Sequence, residues 1–288
     1  EVQKGNTVTT PWGECVLLDM RHLGEKYIDE RLPLVRELAI AYLGVDIVKD
    51  PVPIRPVVHY MMGGISTNTK AATELPGLFA AGECACVSLN GANRLGSNSL
   101  TELLVFGKAA ALSAIAHIKT VGPANKAALK AQADASQARI RELFLRTDGN
   151  ESMSGLRKEM MDTMEKNCGL YRTEEGLQEA VAKIVELRQR YNKVVLHDKS
   201  NVFNTDLFQV LELGSMLDCA SALTVGALAR KESRGAHQRL DFVERDDQNF
   251  LRHSMAYYQG QDTARIAYLD VVITKSPPGV RDYSGDHK

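Results

Sequence analysis

Tryptophan occurs once in the 288 residues, aromatic side chains make up only 6%, and Lys plus Arg nearly balance Asp plus Glu at 35 against 36. A formal net charge of -1 supplies no global field to draw in nucleic acid or an anionic membrane surface, so neither is expected as a charge-driven partner. The five cysteines, Cys15, Cys84, Cys86, Cys168 and Cys219, are an odd and scattered set. A chain this long needs no disulfide staples, and such usage suits thiols in a reducing compartment. Cys84-x-Cys86 lacks a second pair or a histidine partner, so it reads as small core or loop residues and not as a zinc site. No stretch has the charged start, apolar centre and small-residue cleavage site of a signal peptide. The most membrane-like run, 100 to 118, contains Glu102 and Lys108, each costing roughly 2.5–3.5 kcal/mol near a bilayer centre. It is expected as a helix packed against a sheet, with no direct membrane insertion. Repeats, low-complexity tracts and a G-x-G-x-x-G loop after a strand are also missing.

What is present is an ordinary globular composition, 44% hydrophobic, enough for a substantial core. The chain is organised around residues 76 to 107, PGLFAAGECACVSLNGANRLGSNSLTELLVFG, with His59 just ahead in HYMMGG. Pro76-Gly77 predicts a turn, Leu78 to Ala81 a short buried strand, and Glu83 falls at its carboxyl end. Ser99-Leu100-Thr101-Glu102 spells a capping box opening a helix with an apolar stripe of Leu100, Leu103, Leu104, Ala111, Ala114 and Ile118. Strand, loop and helix N-terminus form a layout that holds anions and nucleotides. It looks like the last strand and helix of a dinucleotide-binding fold whose pyrophosphate loop lies upstream, so the chain is expected to be the C-terminal portion of a longer protein.

Around this stretch, residues 7 to 20 predict two strands about the Pro11-Trp12-Gly13 turn, with Trp12 as a packed cover residue. Pro33 opens a helix with Val35, Leu38, Ala39, Tyr42 and Leu43 on one face, closed by Gly44. Pro51, Pro53 and Pro56 mark an extended re-entry, followed by strand-like Val57 to Tyr60. From Pro123 long helices follow, with stripes Leu129, Ala133, Ile140, Leu143; Leu156, Met160, Met164, Cys168; and Leu177, Val181, Ile184, Leu187, Tyr191. Gly169 and Thr173 are the stop and the N-cap between the last two, and Asn204 caps a more apolar helix running to about Ala229. The mixed-sign run beyond Arg230 reads by itself as a solvated, ion-paired connection. Residues 253 to 259 and 265 to 274 alternate like a hairpin, and a mobile tail is expected from Pro277.

GECACVSLNGANRLGSNSL resembles the flavin-proximal segment of the succinate dehydrogenase and fumarate reductase flavoprotein subunits, and HYMMGG their substrate-histidine segment. RHLGEK (21 to 26), FNTDL (203 to 207) and KESRGAHQRLD with ERDD (231 to 247) extend the match over essentially the whole chain. The flanks look most like the quinol:fumarate reductase subunit. The resemblance implies an α/β plus all-α architecture: the C-terminal end of a capping domain (1–50), the C-terminal half of a Rossmann-like FAD-binding domain (51–118), a helical domain (119–235) and a small C-terminal β-hairpin region (236–288). With it, a folded contact near cofactor or partner becomes an alternative for the charged run.

By the same resemblance Arg94 and His59 bind the carboxylates of fumarate or succinate, Glu83 contacts FAD, and the backbone of Ser99 and Leu100 meets the flavin ring. From the residues alone, Arg94 reads as a surface or loop-bracing residue and His59 as a structural one, while Glu83 has a bland reading as a surface acid and Ser99 as a simple N-cap. The implied reaction passes a hydride to one alkene carbon of fumarate, while an arginine upstream of this chain protonates the other. The covalent flavin-attachment histidine is also expected upstream, so this piece alone is expected neither to retain FAD nor to turn over. Implied partners are an iron–sulfur subunit and membrane anchor subunits, giving peripheral attachment at the cytoplasmic face of the inner membrane in anaerobic respiration. Succinate dehydrogenase is the enzymatic alternative; a noncatalytic helical binding fragment is the alternative of another class.

Overall fold

The computed structural model describes residues 2–11, 13–260 and 263–279. Trp12 and residues 280 to 288 of the expected tail lie outside them. Two compact units divide at Tyr60/Met61.

In the first unit, β1 (Val8–Thr10) and β2 (Gly13–Leu18) pair antiparallel about the expected turn, Val8 facing Cys15. After α1 (Glu25–Arg31), Pro33 occupies the first turn of α2 (Pro33–Leu43), and Gly44 closes it in the left-handed conformation at φ 67. β3 (Val52–Ile54) pairs antiparallel with β2 and is an edge strand. Pro53 is tolerated there because an edge strand has a side that needs no N–H donor. The core is Met20, Ile28, Ala39, Ile47 and Val52, edged by Leu43. The buried stripe of α2 is thus narrower than its hydrophobic pattern: Val35, Leu38 and Tyr42 remain exposed. Val57 to Tyr60 forms no strand; Val57 and Val58 are exposed, and among the described residues no ladder pairs with them.

The second unit begins with β4 (Ile65–Ser66), paired parallel with β5 (Ala85–Cys86). Leu78 to Ala81 is not a strand. Its only ladder contact is the isolated bridge Ala72–Phe79, and Leu78 is exposed. A strand needs a continuous hydrogen-bonded neighbour, which the described residues do not provide there. α3 (Asn98–Ile118) is present as a helix but begins before the expected box. Its N-cap is Ser97 at φ 65, whose side chain accepts no capping hydrogen bond; Ser99 lies inside the first turn. Leu100, Leu103, Leu104 and Ile118, expected to pack on a sheet, are exposed among the described residues.

α4 (Lys126–Leu145) is capped by Asn125 and buries only Leu143, leaving Leu129 exposed. α5 (Met153–Cys168), α6 (Glu174–Tyr191) and α7 (Thr205–Ala229) form a bundle around Leu156, Met160, Ile184, Leu187, Val210, Leu213 and Leu217. Here the periodicity reading holds. Thr173 caps α6 by accepting from the Gly176 N–H, Asn204 caps α7 from the Leu207 N–H, and Gly169 ends α5. α3 and α7 are each long and apolar enough to cross a membrane; α7 instead packs between its bundle neighbours. The charged run folds inward, with Glu232 and Arg239 almost fully buried, so the solvated reading of it is corrected. After α8 (Asp247–Phe250), β6 (Arg252–Tyr257) and β7 (Arg265–Asp270) make the expected hairpin and pack on α7.

Candidate functional site

The loop of residues 87 to 97 joins β5 to α3 and is held at three points. Ser88 Oγ lies 2.8 Å from His253 Nε2 on β6. Asn90 Nδ2 donates to Glu102 Oε2 at 2.8 Å, which explains why Glu102 is buried instead of capping its own helix. The Ala92 carbonyl accepts the Ala236 N–H at 2.9 Å. Arg94 follows this last anchor, half-buried, with Nη1 donating to the Leu95 carbonyl at 3.3 Å. Ser97, in the left-handed region, then turns the chain into α3. The start of an α-helix has the equivalent of roughly half a positive charge, so a guanidinium and a positive helix end follow one another on one short segment.

Glu83 is exposed in the turn before β5, and its Oε1 accepts the Met61 N–H at 3.1 Å. That bond ties the MGG segment to the GEC segment. Gly64, at φ 136, lies so close that a Cβ would sit 2.5 Å from the Cys84 carbonyl oxygen, and only glycine permits this parallel approach. Ser99 is half-buried and Leu100 exposed in the first turn of α3. Glu83, Arg94, Ser99 and Leu100 therefore belong to one unit. His59, exposed, belongs to the end of the other.

Hydrogen-bond acceptors and fixed positive ends of this kind fit one edge of a flavin cofactor. An exposed carboxylate can accept from hydroxyls, and the helix start favours an electron-rich ring. Among the described residues no group of three or more His, Cys, Asp or Glu could hold a metal ion, and the five cysteines are free. No sequence signature links the anchors His253, Ala236 and Glu102 to this loop, although Ala236 lies in KESRGAHQRLD and Glu102 in the S-L-T-E box, because each contact spans a distance that only folding closes.

The FAD binding domain family matches residues 1–100, and the fumarate reductase flavoprotein C-terminal family matches residues 157–283. The chain is 51% identical over 288 residues to the fumarate reductase flavoprotein subunit of Escherichia coli, covering 99% of this chain and 48% of that protein. It is 40% identical over 297 residues to the succinate dehydrogenase flavoprotein subunit of Coxiella burnetii, covering 98% of this chain and 49% of that one. A solved quinol–fumarate reductase with menaquinol molecules superposes with a TM-score of 0.93 at 51% identity, over 97% of this chain and 48% of its counterpart. The chain spans about half the length of the curated relatives it matches.

The two family matches, an FAD-binding domain continued into a flavoprotein C-terminal section, define a flavoprotein. The chain belongs to the succinate dehydrogenase and fumarate reductase flavoprotein family.

Proposed function

We propose that this chain provides the substrate-carboxylate contacts and one edge of the FAD site in a fumarate reductase flavoprotein, which reduces fumarate to succinate with electrons from quinol through an iron–sulfur subunit. The observation behind this reading is the anchored loop that presents Arg94 immediately before the α3 N-terminus. A dianionic substrate must be desolvated next to the cofactor, and a planar guanidinium compensates one carboxylate with two aligned donors. His59 donates to the second carboxylate. Glu83 accepts from hydroxyls of the cofactor, while the backbone of Ser99 and Leu100 borders its ring. FAD, when bound, supplies the hydride chemistry.

The proposed domain plan is the one read from sequence: capping-domain end, half of the FAD-binding domain, helical domain and C-terminal hairpin region. In the proposed assembly, iron–sulfur and membrane anchor subunits hold the flavoprotein peripherally at the cytoplasmic face of the inner membrane, in anaerobic respiration. Succinate oxidation is the second reading, favoured by the 40% identity to a succinate dehydrogenase subunit; both directions use the same carboxylate contacts.

The test is viologen-linked fumarate reduction by the full-length flavoprotein with Arg94→Gln or His59→Gln. Losing a charge-assisted hydrogen bond of about 1.5–3 kcal/mol lowers kcat/KM by about 10- to 150-fold, with FAD content unchanged. Wild-type kcat/KM in both variants ends the proposal. Copurification of an iron–sulfur protein tests the partner.

A further inference from the structure

The chain reverses tightly between Arg234 and His237: the Arg234 N–H donates to the His237 carbonyl at 2.8 Å, and the His237 N–H returns to the Arg234 carbonyl at 3.0 Å. Gly235 and Ala236 are the two residues between, and Gly235 has φ +57. A two-residue hairpin turn with glycine first matches the twist of its flanking chains. The tip of this turn lies on the substrate loop. Ala236 donates to the Ala92 carbonyl at 2.9 Å, and a Cβ on Gly235 would stand 2.5 Å from that same oxygen.

The base of the turn is rigid. Glu232, without exposed side-chain surface, binds Arg230 at 2.6 Å and Arg234 at 2.8 Å. His237 Nδ1 lies 2.9 Å from Arg172 Nη1, and its Nε2 lies 3.0 Å from the Arg230 carbonyl. Ser233 and Arg239 lock the two sides together, Ser233 Oγ accepting the Arg239 N–H at 2.8 Å. Such a base holds the tip through several charge-assisted and backbone hydrogen bonds, and the tip in turn holds the Ala92 carbonyl.

We propose that the Ser233–His237 turn is a positioning element for Arg94, pinning Ala92 so that the guanidinium meets the substrate carboxylate. This rests on the function proposed above. The turn itself touches neither substrate nor cofactor; it acts through the loop backbone. Because Arg94 contacts a carboxylate both before and during reaction, a shifted loop weakens substrate binding more than turnover.

The experiment uses the full-length flavoprotein in its complex with FAD bound. Malonate, a dicarboxylate with no double bond to reduce, is titrated against the flavin absorption band, alongside steady-state fumarate reduction. Gly235→Ala forces the Ala92 carbonyl aside. Its malonate Kd and fumarate KM rise about ten- to a hundredfold, while kcat changes less and FAD content stays at the wild-type level. Gly44→Ala, equally strained at φ +67 but with open space around it, leaves both constants unchanged. In an Arg94→Lys background the added effect of Gly235→Ala falls below about threefold, since the two changes act on one contact.

Wild-type malonate affinity in folded, FAD-loaded Gly235→Ala overturns the proposal. Should that variant not accumulate, hydrogen exchange of the wild type decides: malonate is expected to slow the Ala236 amide, and an unaltered rate overturns it. A wild-type protein that binds no malonate and reduces no fumarate would instead defeat the parent reading, so the two failures are distinguishable.

Discussion

Glu232 accepts from Arg234 through both oxygens, Nε to Oε1 at 2.8 Å and Nη2 to Oε2 at 2.9 Å. Oε2 also accepts the Asp246 N–H at 2.8 Å, so a single buried carboxylate joins two distant parts of the charged run. Removing one partner of a buried ion pair leaves an uncompensated charge, at a cost of about 3–5 kcal/mol. Glu232→Ala is expected to lower unfolding stability by that amount in urea titrations. Glu232→Gln, which keeps the shape, should lose less.

His237 is the residue whose protonation should be visible in stability. Burial, reinforced by the nearby Arg172, Arg239 and Arg230 guanidinium groups, pushes its imidazole from an ordinary 6.5 down to about 4. The unfolded chain takes up a proton as pH falls through 6.5, and the folded chain does so only near 4. The folded state is therefore penalised progressively across that window and holds its full advantage above it. Unfolding measured from pH 7.5 to 4 should show this slope, and His237→Gln should flatten it.

Glu159 governs a more acidic window. Arg190 contacts both of its oxygens at 2.8 Å and Lys183 one of them at 2.8 Å, which holds the carboxyl at about 2 instead of 4.5. A depressed carboxylate contributes stability above its unfolded value and loses it as pH falls towards the folded one. Glu159→Gln is expected to reduce stability at pH 7 and to make the loss between pH 4.5 and 2 shallower, read by circular dichroism.

Two side chains on α7 give a packing contrast. Leu213 is fully buried, whereas Phe208 is 71% exposed. Leu213→Ala should cost about 2–5 kcal/mol from lost transfer energy and an unfilled cavity. Phe208→Ala should stay within about 0.5 kcal/mol. Equal effects in denaturant unfolding would contradict the bundle core described above.

The bundle was legible residue by residue because its signals are local. Thr173, Asn204 and Gly169 act on the backbone immediately beside them, and the Leu177–Ile184–Leu187 stripe needs only the helix period to define its face. The candidate site was legible by resemblance, through GANRLGSNSL and HYMMGG, more than by physics. Arg94 taken alone is indistinguishable from a loop-bracing arginine. A local pattern fails where a distant partner competes for its residues: Ser99 and Glu102 match a capping box, yet Ser97 starts the helix and Asn90 claims Glu102.

The sequence by itself determined the longer helices, α2 to α7, where most of them stop, and which family motifs the chain contains, because propensity, caps and period 3.6 operate within a few residues; the short α1 and α8 were not legible in it. Tertiary structure alone decided that the charged run folds inward, that Val35, Leu38 and Leu104 stay exposed, and that Ala236 meets Ala92. Burial and long-range hydrogen bonds depend on which distant surface arrives. No spacing along the chain encodes that arrival.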